Sequence, residues 1–176
     1  MIPDAFSRQR AQRGVAAMEA ALIMPVLVLL LVMAVDLSDL IRTDRRLVNA
    51  TGTVADLVAR ERTVDAKTFD AAQAIGDTIF SPHSQQPTAG ARYAIASVVY
   101  DNDGSRSVAW TREINGGALP DPLAHTDQIE LENDSVIVVR GERNWQPLLS
   151  HPVLGELTLT EVQVARPRLT RRVEVE

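Results

Sequence analysis

Between Ala20 and Val35 the sequence carries no charge. Taken from Val15, the apolar run is 21 residues long, or about 31 Å as a helix rising about 1.5 Å per residue. The hydrocarbon layer of a bilayer is roughly 30 Å thick. A run of that length and composition matches a membrane-spanning helix at the N-terminal end. Glu19 is the one charge within it. A carboxylate at the bilayer centre costs roughly 2.5–3.5 kcal/mol on insertion scales. The cost is smaller one turn from the helix start, where the partial positive charge of a helix N-terminus also favours an acid.

The flanks of the run set its orientation. Arg8, Arg10 and Arg13 precede it, against Asp4 alone. Beyond it, Asp36, Asp39 and Asp44 are mixed with Arg42, Arg45 and Arg46. The positive-inside bias favours a cytoplasmic N-terminus. The net charge of -5 disfavours nucleic acid as a partner, because phosphate binding needs a clustered basic face. With no cysteine, disulfides, thiolate zinc sites and thiol catalysis are excluded.

The helical pattern does not stop at the end of the run. Leu37, Leu40, Ile41, Leu47, Val48, Val54, Ala55 and Val58 recur at helical spacing and predict one helix from about Val15 to about Arg62. Pro25 is a candidate kink, and Gly52 a weak point rather than a stop. The stripe reads first as domain core and second as a partner interface.

A second helix is predicted from about Asp65 to Phe80, with Phe69, Ala72, Ile75 and Ile79 on one side. Ser81–Gly90 is a proline-containing loop. Arg92–Tyr100 and Ser107–Ile114 flank "DNDG" and predict a hairpin with Gly104 at positive φ. Ser135–Trp145 interleaves Val136, Ile137, Val138 and Val139, as expected of a strand buried on both faces. Leu157 and Leu159, then Val162 and Val164, change phase, which predicts a bulge. Gly116–Asn133, rich in Pro, Asp and Gly, reads as a long loop. The fold class is therefore α+β: a long N-terminal transmembrane-plus-amphipathic helix, a short second helix and an antiparallel sheet of about four strands.

Nothing in this pattern assembles a catalytic centre, a metal site or a cofactor site. His83, His125 and His151 lie far apart in loops. Asp101, Asn102 and Asp103 before Gly104 resemble half of a calcium loop, but the further ligands and closing glutamate of the twelve-residue pattern are missing, and a tight turn is the better reading. Trp110 and Trp145 sit in strand patterns, where core packing is their default role. Arg166–Arg172 reads as a solvated tail before it reads as a basic contact surface.

Glu19 gains a sharper role if the chain is cut after Gly14. It is then the fifth residue of the mature chain, and Val15 carries a new α-amine. In an array of such helices the carboxylate could meet a neighbour's amine. An unpaired buried charge is heavily penalised, so the pairing would also set the axial register.

Here the sequence resembles a family. A basic leader, then "GVAAME", then an apolar helix is similar to the class III signal of type IV pilin-like proteins, and "RGVAAMEAALIMPVLVLLLVMAVDLSDLIRTDRRLVNATGTVADLVAR" resembles the Tad (tight adherence) minor pilins TadE and TadF. The likeness lies in the five-residue step from Gly14 to Glu19, the Ala-Leu-x-x-Pro ending at Pro25, the acid just past the apolar run and the amphipathic continuation through "LVNATGTVADLVAR". "SVVYDNDGSRSVAWTRE" and "ARPRL" add to it. One departure is Ala20, where many Flp-type signals carry an aromatic.

The resemblance implies a minor pilin (pseudopilin) of a Tad/Flp-type pilus with a pilin-like shape and no enzymatic activity. By the same resemblance, a prepilin peptidase cuts between Gly14 and Val15, and Glu19 serves register and assembly. The implied division is a leader over 1–14 with Arg8, Arg10 and Arg13 as its charges, a transmembrane helix over 15–36, its amphipathic continuation over 37–62, and a periplasmic α+β domain over 63–176. The implied partners are that peptidase, the other minor pilin, the major Flp pilin and inner-membrane platform proteins. The implied setting is the inner membrane of a Gram-negative bacterium, or the pilus, with roles in adherence and biofilm formation; "NDS" at Asn133–Ser135 then has no meaning as a glycosylation signal. Other readings stay open. The run could be a secretory signal cut near Val32-Met33-Ala34, as a secreted hydrolase would need. It could also be the uncleaved span of a membrane-anchored periplasmic binding or sensor module.

Overall fold

A computed structural model describes residues 5–80, 91–151 and 155–176, with side chains from Ala17 onward except at Asp77. The elements are α1 (Ala5–Ala59), β1 (Thr63–Val64), α2 (Ala66–Phe80), β2 (Arg92–Tyr100), β3 (Arg106–Ile114), a 3-10 turn (Leu123–Thr126), β4 (Asp134–Trp145), β5 (Leu157–Ala165) and β6 (Glu174–Val175). The chain divides into two compact units. One comprises Met1–Ile41 with Gln146–Gly155, the other Arg42–Trp145 with Glu156–Glu176. The fold class is α+β, as the periodicity predicts.

α1 begins ten residues before the expected start and runs unbroken through Pro25 and Gly52. The stretch before Gly14 is rich in Ala, Arg and Gln, which favour helix. The helix closes at Ala59, where the N–H groups of Arg60 and Glu61 reach back to the carbonyls of Leu57 and Val58 at 3.2 Å. Chain reversal into α2 is prepared by Asp65. Its carboxylate accepts the Thr68 N–H at 2.9 Å and the Thr68 hydroxyl at 3.0 Å, a helix N-cap. The Thr68 N–H, more than any other group, holds the Asp65 carboxyl below its ordinary value.

In the larger unit the sheet order is β3-β2-β4-β5, all antiparallel. One face carries Tyr93, Ile95, Ile137 and Val139, packed with Leu47, Ala50, Val54, Ala55 and Val58 of α1 and Phe69, Ala72 and Phe80 of α2. The predicted helical stripe is therefore core in its second half. Leu37 and Ile41 of its first half stay exposed. On α2, Phe80 joins Phe69 and Ala72 in the core, while Ile79 packs at its margin.

The second face of the sheet is also closed. Ala94, Ala96, Val98, Tyr100, Val136 and Val138 pack with Leu119, and Leu123, Ile129 and Leu131 add to them. These last four come from the expected long loop, which lies over the sheet. The loop is fastened by Arg106, which pairs with Asp127 at 2.7 Å, and by Arg140, whose guanidinium donates to the Ala118 carbonyl at 2.8 Å. Burial on both faces explains the uninterrupted apolar runs of β2 and β4.

Two expectations are corrected. β5 pairs with β4 in one continuous register from Ile137–Ala165 to Trp145–Leu157, with no bulge. Its change of phase instead serves two cores. Leu159 and Ala165 pack on the helix side, and Val162 packs on the loop side. The irregularity lies between β2 and β3, at Ser97/Val98. The tail is more than solvated. Its arginines are exposed, but its backbone is tied down. The Arg168 N–H donates to the Ala59 carbonyl at 2.9 Å, the Ser135 hydroxyl donates to the Arg171 carbonyl at 2.6 Å, and the Trp110 indole N–H donates to the Val173 carbonyl at 2.8 Å. Val173 is buried, and β6 pairs in parallel with β1.

The hairpin at "DNDG" forms as expected, with Gly104 at φ 78°. Ser105 donates its N–H to the Asp103 carboxylate at 2.9 Å and its hydroxyl to Asp101 at 3.3 Å. Both carboxylates thus serve the turn. The Ser105 N–H is the main cause of the lowered pKa of the Asp103 carboxyl.

Candidate functional site

The feature that stands apart from a soluble domain is the first part of α1. Among the described residues, this helix is the one long and apolar enough to cross a membrane. Leu22 is 79% exposed, Leu31 65% and Leu29 62%. The exposure goes all round, since Leu22, Ile23, Met24, Val26, Leu27, Val28, Leu29, Leu30 and Leu31 cover every helical direction. A helix apolar on all sides belongs in a core or in lipid, and no core surrounds this one. The N-terminal helix is thus consistent with a single membrane anchor.

Two acids bracket the uncharged segment. Glu19 is exposed. Asp36 lies 17 positions further on, about 26 Å along a helix rising about 1.5 Å per residue. Asp36 is 2% exposed. Its carboxylate accepts three consecutive backbone N–H groups, from Leu148 at 2.9 Å, Leu149 at 3.1 Å and Ser150 at 2.9 Å, together with the Ser150 hydroxyl at 2.5 Å. Four donors around one carboxylate offset the desolvation of its charge. The segment between β4 and β5 is thereby fastened to the end of the apolar run. Leu149 and Ser150 line an apolar groove with Met24, Pro25, Val28, Val32 and Met33.

Arg8, Arg10, Arg13, Gly14 and Val15 all fall within the helical backbone of α1, and their side chains lie outside the described ones. One helix therefore carries the proposed processing position and Glu19. Sequence reasoning noted an acid just past the apolar run but missed its partners. The available signal was the segment Gln146–Gly155, which holds several apolar residues and no Asp, Glu, Lys or Arg. Of the histidines, His125 and His151 are exposed, and His83 lies outside the described residues. Among the described residues no three His, Asp or Glu side chains gather around a common point that could hold a metal ion.

Residues 14–56 match the family TadE, described as TadE-like protein. The N-terminal region is a TadE-like domain. The match begins at Gly14, spans the apolar run and its bracketing acids, and ends within the part of α1 that packs on the sheet. No curated protein and no solved structure matches the chain.

Proposed function

We propose that this protein is a minor pilin (pseudopilin) that takes part in assembly of a Tad/Flp-type pilus. The observation that carries the proposal is that the TadE-like match, over residues 14–56, covers the stretch of α1 that is apolar on every side. TadE-like proteins are generally structural rather than enzymatic, which supports a role in assembly. In this reading residues 1–14 are a leader whose Arg8, Arg10 and Arg13 hold the N-terminus in the cytoplasm. A prepilin peptidase cuts after Gly14. The helix over 15–36 crosses the inner membrane, the stretch over 37–62 continues it, and the domain over 63–176 lies in the periplasm. The partners are the other minor pilin, the major Flp pilin and the platform proteins.

Glu19 has no reaction to tune in this account. It pairs across subunits with the α-amine of Val15 and sets the register of packed helices. Removing its charge makes membrane insertion easier, so a plain anchor tolerates Glu19→Ala. A register-setting carboxylate does not. Both Glu19→Ala and Glu19→Gln are expected to insert and to be cleaved, yet to be lost from the assembly. Fractionation, mature-chain mass and co-purification with pilus components on the same samples check this. Normal incorporation of Glu19→Ala would remove the pairing and favour an anchored binding or sensor module.

A further inference from the structure

The proposed span explains the apolar surface of α1 but not the apolar surface of the segment fastened to it. Leu148 and Leu149 are 52% and 57% exposed, although they follow one another in a segment with no formal charge. From the fastening at Asp36, we infer that Gln146–His151 is a second membrane-contacting element, which presses Leu148 and Leu149 into the outer boundary of the lipid beside the helix. This inference rests on the reading of the apolar run as a membrane span.

Three observations point to lipid as the occupant. The first is depth. Leu149 shares a groove with Val32 and Met33, which precede Asp36 by about one helical turn on the apolar side. One turn is about 5.4 Å. An amphipathic element at a bilayer surface buries its apolar face by about 5–10 Å.

The second is the backbone. Irregular chain is costly at lipid depth because its N–H groups lose water. Here the N–H groups of Leu148, Leu149 and Ser150 all point to the Asp36 carboxylate. The donors that lipid would leave unsatisfied are already used, and the two leucine side chains stay outside. The same bonds neutralise the polarity of Asp36 at the end of the span. The third is charge. The chain is 23% Asp, Glu, Lys and Arg, yet Gln146–His151 has none, so its approach to hydrocarbon desolvates no ion.

The absence of cysteine makes the test direct. Single-cysteine variants Leu149→Cys, Leu27→Cys and Ser107→Cys of the full chain are labelled with an environment-sensitive fluorophore. They are reconstituted in phosphatidylethanolamine/phosphatidylglycerol vesicles. Quenching by shallow and deep spin-labelled lipids is compared with quenching by aqueous iodide.

The inference predicts that the label at 149 emits at shorter wavelength than the label at 107. Shallow lipid quenchers should reach it, and iodide should not. Adding Asp36→Ala should shift the 149 label towards the behaviour of the label at 107. A 149 label quenched by iodide while the 27 label responds to deep lipid quenchers would overturn the inference and leave the span intact. A 149 label shielded from both quenchers would also overturn it, because a protein partner would then cover the leucines. A 27 label open to iodide would instead contradict the membrane span itself, and this inference with it.

Discussion

At the scale of the residue, two glycines make opposite demands. A Cβ on Gly141 would lie 2.2 Å from the Thr51 hydroxyl and 3.2 Å from Leu47 of α1. β4 approaches the helix so closely because that side chain is absent. Overpacking of this kind typically costs about 1–3 kcal/mol. Gly52 sits one residue along the helix from Thr51, and a Cβ there would meet nothing within 4 Å. Glycine in a helix interior costs about 0.5–1 kcal/mol relative to alanine. Gly141→Ala is therefore expected to destabilise by about 1–3 kcal/mol, and Gly52→Ala to stabilise by about 0.5–1 kcal/mol. Chemical denaturation of the detergent-solubilised variants measures both. Equal effects from the two substitutions would mean that helix and strand do not meet at Thr51 and Gly141.

At the scale of the element, most of the fold was legible because each signal was local. The 3.6-residue stripe from Leu47 to Val58, the "DNDG" turn and the apolar run of β4 each lie within one short window. The features missed depend on residues far apart in sequence. Asp36 meets its partners more than a hundred positions later. β1 and β6 are two residues each and have no periodicity to read. In β5 both faces are covered, with Leu159 and Ala165 turned to the helices and Val162 to the long loop, and periodicity alone does not distinguish this from a bulge. Of the candidate site, the apolar run and Glu19 were readable from composition and spacing, whereas the fastened segment between β4 and β5 was not.

The tail offers a test at this scale. Deleting residues 173–176 removes Val173 from the core, worth about 1.5 kcal/mol or more, and the acceptor of the Trp110 indole, worth about 1 kcal/mol. It also removes the pairing with β1. The deletion is expected to lower stability by roughly 2–4 kcal/mol in sum. A tail with no structural role would leave the denaturation midpoint where it was.

At the scale of the whole molecule, the described structure combines an apolar helix, a segment fastened to that helix at Asp36, and a domain whose sheet is covered on both faces. The last buries its apolar residues within one chain. The first does not, and this separates it from the rest of the molecule in function. In the proposed role, its surface meets lipid before assembly and neighbouring helices after it. The TadE-like region covers that surface and its entry into the domain. An assembly subunit needs this combination: a folded body, and a helix that exchanges one apolar environment for another.

In the proposed role this exchange begins with removal of the leader. The most direct measurement is the mass of the intact chain extracted from membranes of cells that carry the pilus machinery, beside a Gly14→Leu variant. The expected result is a mature chain starting at Val15, shorter by 14 residues, and a variant that keeps its leader. A chain that retains Met1–Gly14 in both samples, or one that starts at Val35, would contradict it.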